Sequence, residues 1–400
     1  MFLFLFLIII FEILIFYLLK KNKKNNNILI EKSDEFPSFD KKKFNNFLRN
    51  NFDKKLGWVR KNNSVGFDRA GKKLIKFSIN KKGYREVVKK KTSLFASFGD
   101  SYVFCRQVAD NKTWQEQISK NKNFNILNYG VGNYALDQAL IRYKNTKLDK
   151  KTKFVILGFV PETICRVQSY WKHFLEFGNI HGFKPMFLQN GNNLTLLKNP
   201  LNKNTKITDL KKIIDKVKIR DRFYEDKFKK NIFKFPYTIS FFKNFFFNSK
   251  FFFTLLKDLL KFRNNNPQHL NDVLFSYVML RNIKQSHKYY KEYKSLKILE
   301  HLILDFKEFS IKKKITPIIL VLPQLMDLKL KSKKNYQRFF SSMNLKIDVI
   351  DTTNFLSKKL NKKVYTNDKY GGHLSSYGNK LVSKYVFKKI TKYLKNRKNT

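Results

Sequence analysis

Cysteine is nearly absent. The two thiols in 400 residues, Cys105 and Cys165, exclude a disulfide scaffold and a cysteine-built zinc site. With 14 Gly and 8 Pro, the chain is neither collagen-like nor a Pro/Gly-rich disordered polymer. Acidic residues are also scarce: 30 Asp+Glu face 83 Lys+Arg, a net charge of +53. Arginine supplies only 13 of those cations, although its forked guanidinium is what phosphate and base recognition usually employs. The lysines run through every segment instead of gathering on one tail, and Lys, Asn, Ile and Phe share AT-rich codons. The charge therefore reads as a soluble surface with weak attraction for anionic polymers and lipids, and specific nucleic-acid binding is not expected. The six histidines, at 173, 181, 268, 287, 301 and 373, lack metal-ligand spacing. A phosphate-binding glycine loop and a dinucleotide fingerprint are missing too, so no cofactor or metal is expected.

What the chain has is apolar material, 42% hydrophobic and 16% aromatic, enough for one large core or two smaller ones. Phe2 to Leu19 is apolar except for Glu12. Eighteen helical residues come close to the ~20 that cross a bilayer. No basic stretch precedes this run and no small-residue cleavage site follows it, so an anchor is expected rather than a removable signal. Lys20, Lys21, Lys23 and Lys24 flank it, but lysine is so common here that the side of the membrane stays open.

The expected organisation is an anchor (1–20), a lead-in arm that packs on the body (21–90), a first catalytic segment (91–165), a helical insertion (166–313) and a second catalytic segment (314–396). In the first catalytic segment, Leu94–Phe98, Asn125–Asn128 and Phe154–Leu157 read as buried strands ended by glycines. Asp110 reads as the N-cap of a helix running to about Lys120, and Ala135 to Tyr143 as a second helix. Thr316–Leu322 and Ile347–Ile350 continue the strand series, and Ser376 to Leu394 carries one apolar helical face. Strands alternating with helices predict an α/β fold with a parallel sheet covered on both faces. In the insertion, Phe241 to Phe262 reads as a basic amphipathic helix, with Lys243, Lys250, Lys257 and Lys261 at near-heptad spacing. It either lies on a membrane or, the reading preferred here, covers the catalytic body with its Phe face.

The chemistry-bearing residues stand at strand ends, where open parallel sheets build their sites. Gly99-Asp100-Ser101 places a hydroxyl at a helix start, where unpaired backbone N–H groups favour negative charge. Asn128-Tyr129-Gly130-Val131-Gly132-Asn133 and Gly158 follow the next two strands. His373 follows Gly371-Gly372, and Ser375 can cap the last helix behind it, so the ring is presented at a fixed corner. A histidine there can take a proton from Ser101 and return it to a leaving group.

Ser93 to Cys105, Asn128 to Gln138 and Tyr370 to Asn379 together resemble the SGNH/GDSL hydrolase family. The resemblance implies a three-layer α/β/α sandwich with a flavodoxin-like sheet, Ser101 as nucleophile and His373 as catalytic histidine, with Gly378 completing its His-x-x-x-x-Gly setting. It also implies oxyanion or substrate roles for Gly132, Asn133 and Gly158. Three departures accompany it. The family's oxyanion glycine falls on Asn133, with Gly132 next door. Val160 stands where an asparagine donor belongs, with Glu162, Arg166, Trp171 and His173 following as substitutes or structural residues. Tyr370 occupies the place of the usual aspartate, leaving Asp368, or secondarily Asp351, as the third member. The expected function is a membrane-anchored serine esterase acting on an acyl ester of a glycan or lipid through an acyl-enzyme. The alternatives are an acyltransferase using the same site, or a non-catalytic glycan-binding or scaffold protein of the same fold.

Overall fold

The computed structural model describes residues 2–25, 28–70, 73–191, 193–260, 267–329, 335–366 and 372–396. At its centre are five parallel strands, β1 (Thr92–Phe98), β2 (Phe124–Asn128), β3 (Phe154–Phe159), β4 (Thr316–Val321) and β5 (Asp348–Asp351). They lie in the order β2-β1-β3-β4-β5. Successive side chains of a strand point to opposite faces, and here both faces are dry. Ala96, Leu127, Val155, Leu157 and Ile319 enter one core with the helices Leu136–Asn145, Tyr293–Lys312 and Asn335–Met343. Phe95, Ile126, Ile156, Ile318 and Ile350 enter the other, with Trp114–Ser119 and the C-terminal helix Ser376–Asn396. Burial on both sides is why these strands read as continuous apolar runs rather than alternating ones. The result is a mixed α/β fold with a mostly parallel sheet, helical insertions and one apolar N-terminal helix.

Several local expectations are corrected. Asp110 does not cap the first helix. It opens a short 3-10 turn and accepts from Arg85 Nε at 2.8 Å and Ser78 N at 3.0 Å, while Thr113 Oγ1 caps Trp114–Ser119 by accepting from Glu116 N. The third strand continues through Gly158 to Phe159, because its neighbour β4 pairs with it that far. The expected helix over 241–262 is two helices, Tyr237–Lys243 and Phe245–Leu260, interrupted at Asn244. Their aromatic face meets the N-terminal helix Phe2–Asn25 in a separate apolar cluster, away from the sheet.

The insertion is mostly helical among the described residues but also carries a hairpin, Met186–Asn190 with Asn193–Leu197. The lead-in contributes the hairpin Ser64–Ala70 with Lys73–Ile79, and its Ile30–Glu31 pairs in parallel with Ile232–Phe233 of the insertion. The insertion and the helix Leu136–Asn145 are tied by a fully buried ion pair. Lys184 Nζ donates to Asp137 Oδ2 at 2.5 Å and to Pro185 O at 2.9 Å. Breaking such a pair leaves an uncompensated charge, so Lys184→Ala is expected to cost about 3–5 kcal/mol. Urea denaturation of variant and parent, compared at equal m, measures it.

Candidate active site

Ser101 sits where three strand-end glycines leave room for a very short helix. Asp100 caps Ser101–Phe104, its Oδ1 accepting from Tyr102 N at 2.8 Å. Its Oδ2 accepts from Val160 N at 3.2 Å, which ties the turn after β1 to the end of β3. Burial raises the Asp100 carboxyl above its ordinary pKa against the pull of these two amides, Arg166 and His373. The helix lies directly on glycine. A Cβ at Gly158 would stand 2.1 Å from Val103 Cγ2, one at Gly99 2.7 Å from Gly158 O, and one at Gly130 2.2 Å from Phe104 N. At the other end, buried Arg85 of the lead-in donates to the carbonyls of Phe104, Cys105 and Val108 at 2.8, 2.9 and 2.8 Å. The first two are acceptors that a helix C-terminus leaves without intrahelical partners.

His373 arrives from the far end of the chain and is held through its backbone. Thr366 N donates to His373 O at 2.7 Å and His373 N to Thr366 Oγ1 at 3.1 Å, beside an isolated bridge between Tyr365 and Leu374. Tyr102 OH donates to Gly372 O at 2.5 Å. Gly372 has a φ of 82°, left-handed backbone that glycine adopts freely. Ser375 Oγ accepts from Gly378 N at 3.1 Å and so caps the C-terminal helix as expected. Glycine at 378 is needed for contact, since a Cβ there would meet Val364 O at 2.2 Å. With both backbones fixed, His373 Nε2 stands 3.0 Å from Ser101 Oγ across 272 residues of sequence.

The pair opens into a cavity of about 240 Å³. Asn133, Val160, Glu162 and Arg166 line it, together with four residues that no motif pointed to: Glu176, Asn179, Asn282 and Gln324. Asn133 has a φ of 69°, and Trp58 of the lead-in pins this corner by donating its Nε1 to Gly132 O at 3.1 Å. Gly158 lies under Val103. Asp368 lies outside the described residues. Asp351 is occupied elsewhere, accepting from Thr353 N at 2.8 Å and Gln337 Nε2 at 3.5 Å.

Of the four candidate substitutes, two line the cavity and two belong to the core. Arg166 bridges Glu162 at 3.1 Å and Glu176 at 2.7 Å. Lys172 Nζ stands 3.0 Å from Glu176 Oε2 in an ion pair. Burial opposes charge throughout this group. It lowers Lys172 to about 8 and raises Glu162, whereas Arg166 and Lys172 outweigh it at Glu176 and hold that carboxyl near 2. Gln324 Nε2 donates to Glu162 at 3.3 Å. Asp327, behind it, accepts from Gln324 N and pairs with His287 of the insertion at 2.7 Å. Among the described residues no cluster of His, Cys, Asp and Glu has the makings of a metal site.

Trp171 stacks on His173 and Phe183 in the core. His173 Nδ1 accepts from Gly178 N at 3.3 Å, which leaves Nε2 to donate to Asp34 O at 2.9 Å. That arrangement requires a neutral ring, and burial lowers its pKa to about 4.

No family model matches the chain, and no curated protein matches it. A solved structure of a protein assigned to the G-D-S-L lipolytic family, from Desulfitobacterium hafniense DCB-2, is similar to it. The alignment has 12% identity and a TM-score of 0.31, covering 73% of this chain and 96% of that one.

Two outcomes are expected. Gly158→Ala drives a methyl into Val103 and should lower Tm and displace Ser101. Val103→Ala removes the opposing methyl, so the double variant should lose less stability than the two single losses added together; simple additivity would contradict the contact. For His173, the unfolded ring binds a proton below about 6.5 while the folded ring resists until about 4. Stability is therefore complete above pH 6.5 and falls as pH drops through that window, by on the order of 2–3 kcal/mol. Denaturation of His173→Gln at pH 7 and pH 4.5 should show a flatter dependence than the parent.

Proposed function

We propose that this chain is a serine ester hydrolase of SGNH/GDSL type, tethered to a membrane by its N-terminal helix. The observation that carries the reading is the 3.0 Å approach of His373 Nε2 to Ser101 Oγ at a cavity lined by polar and apolar side chains. The strand order, 2-1-3-4-5 in sequence terms, is the order found in flavodoxin-like sheets and supports the same assignment.

In this reading, Ser101 Oγ attacks the ester carbonyl carbon as its proton passes to His373 Nε2. The C–O bond of the leaving alcohol breaks as the imidazolium returns that proton, and water, activated by the same ring, releases the acyl group. A sugar hydroxyl in place of water makes the product a transferred ester. Asp368, five residues before His373, is the carboxylate assigned to orient the ring and stabilise its charged form. The oxyanion is assigned to the backbone N–H of Ser101 and the Gly132-Asn133 corner. Side-chain donors on the cavity wall are the amides of Asn133 and Asn282, the latter held by Lys227 Nζ on its Oδ1 at 2.8 Å. The wall mixes polar groups of Arg166, Glu176, Asn179 and Gln324 with apolar ones of Phe177, Val278 and Met279, which suits a short acyl group on a hydroxyl-rich carrier.

The full chain, purified in detergent, is expected to hydrolyse short-chain nitrophenyl esters and to be labelled at Ser101 by a fluorophosphonate. Ser101→Ala should lower turnover by on the order of 10⁴–10⁶ with Tm unchanged. A well-folded protein that neither turns over nor labels would instead be a non-catalytic binding domain.

A further inference from the structure

Only the first part of the N-terminal helix stands clear of the body. Phe2 to Ile10 are largely exposed, whereas Ile15, Leu18 and Leu19 are buried against Phe241, Phe251, Phe252 and Leu255 of the insertion. Nine free residues rise about 14 Å, roughly half of the ~30 Å hydrocarbon layer. A helix that crosses the whole layer therefore carries the rest of its apolar run, and whatever is packed on it, into the near leaflet.

What is packed there has the surface for it. Helix Phe245–Leu260 runs alongside the second half of the N-terminal helix, with Lys21 Nζ 3.7 Å from Asp258 at one end. At the other end Phe11 reaches Phe242 at 6.4 Å between ring centroids, Phe242 stacks on Phe245 at 5.7 Å, and Phe245 meets Phe246 at 5.7 Å. Phe242, Phe245 and Phe246 are exposed, Phe246 at 90%. The exposed apolar face of the anchor thus continues without a break onto the tip of the insertion. Lys20, Lys21 and Lys257 lie at the opposite, body-side end, where headgroups would begin. Lys243, at the tip, has a long stem that can carry its charge toward that region.

Glu12 gives an independent reason. A carboxyl within an apolar span is costly unless it is paired inside the protein. Its two oxygens accept from Tyr237 N at 2.8 Å, Thr238 N at 2.8 Å and Thr238 Oγ1 at 2.6 Å. Glu12 caps the helix Tyr237–Lys243, so this helix of the insertion is fixed at a level within the apolar run of the anchor.

We propose that the Phe242–Phe246 tip of the insertion is a second lipid-contacting element, seated in the near leaflet of a bilayer beside the anchor. This rests on reading the N-terminal helix as a membrane helix. The neighbouring helix Pro267–Tyr289 packs on this foot through Leu274 and lines the Ser101 cavity with Val278 and Met279. The lipid contact and the candidate site therefore share one wall, and the cavity is held close to the membrane surface.

Because Cys105 and Cys165 are both buried, a single introduced cysteine can carry a nitroxide in the full chain. Phe246→Cys, Phe6→Cys and Leu345→Cys all fall at exposed positions and are reconstituted into vesicles of phosphatidylcholine with phosphatidylglycerol. Power saturation compares oxygen, which concentrates in lipid, with a water-soluble nickel chelate. Expected is a lipid-like response at positions 246 and 6 and a water-like response at 345. Water-like behaviour at 246 with lipid-like behaviour at 6 overturns the foot and leaves the anchor. Water-like behaviour at both overturns the membrane reading together with the foot.

Discussion

Everything at the candidate site depends on how closely one short helix lies on the edge of the sheet. Val103 occupies the space above Gly99 and Gly158, and the backbone of Phe104 occupies the space above Gly130. At or just beyond the ends of three strands a hydrogen thus stands where any other residue would carry a side-chain carbon, and the four-residue helix settles into that hollow. A helix this short has no stability of its own. It persists because it is seated below by the glycines, capped in front by Asp100 and held behind by Arg85. Ser101 is exposed to the cavity because the rest of its turn is immobilised.

The buried charges around the cavity follow from the same economy of space. Glu162, Arg166, Glu176 and Lys172 are removed from water, and burial alone would neutralise the acids and the lysine. Alternation of sign prevents that for Glu176, which stays far below the ordinary carboxylate range, whereas Glu162 is pushed up. The wall therefore holds donors and acceptors in fixed positions without a large net charge. Beside these charges the same wall carries Val160, Phe177, Val278 and Met279, so polar and apolar groups face the cavity together. The larger exposed apolar surface lies elsewhere, on the N-terminal helix and the Phe242–Phe246 tip.

How much of this was legible in the sequence depended on whether the signal was local. The five strands read correctly because burial on both faces gives uninterrupted runs such as Phe154-Val155-Ile156-Leu157. Ser375 was legible as a cap because capping is decided within one turn. Asp110 misled because its partners, Arg85 and Ser78, lie in the lead-in and outbid the local cap. The long Phe-rich stretch read as one helix covering the body, but periodicity does not say which surface an apolar face will meet. Glu176, Asn179, Asn282 and Gln324 carried no signal at all: each is an ordinary polar residue until tertiary packing turns it toward the cavity. The glycines were legible as turns but not as the seat of a helix, since that role depends on Val103 and Phe104 arriving above them.

Glu12 shows how one polar residue reports on architecture. In the sequence it is a lone interruption of an apolar run, a cost without visible return. In the fold it accepts from two backbone amides and a hydroxyl of a helix more than two hundred residues away. Those amides begin a helix, so they have no intrahelical acceptors and need one. Two groups that would each be unfavourable in an apolar setting satisfy one another, and in doing so fix the height of the insertion along the N-terminal helix. The insertion in turn lines the cavity with Val278, Met279 and Asn282. The position of the candidate site relative to the N-terminal helix is thereby set by this carboxyl together with the packing of Ile15, Leu18 and Leu19 on Phe241, Phe251 and Leu255.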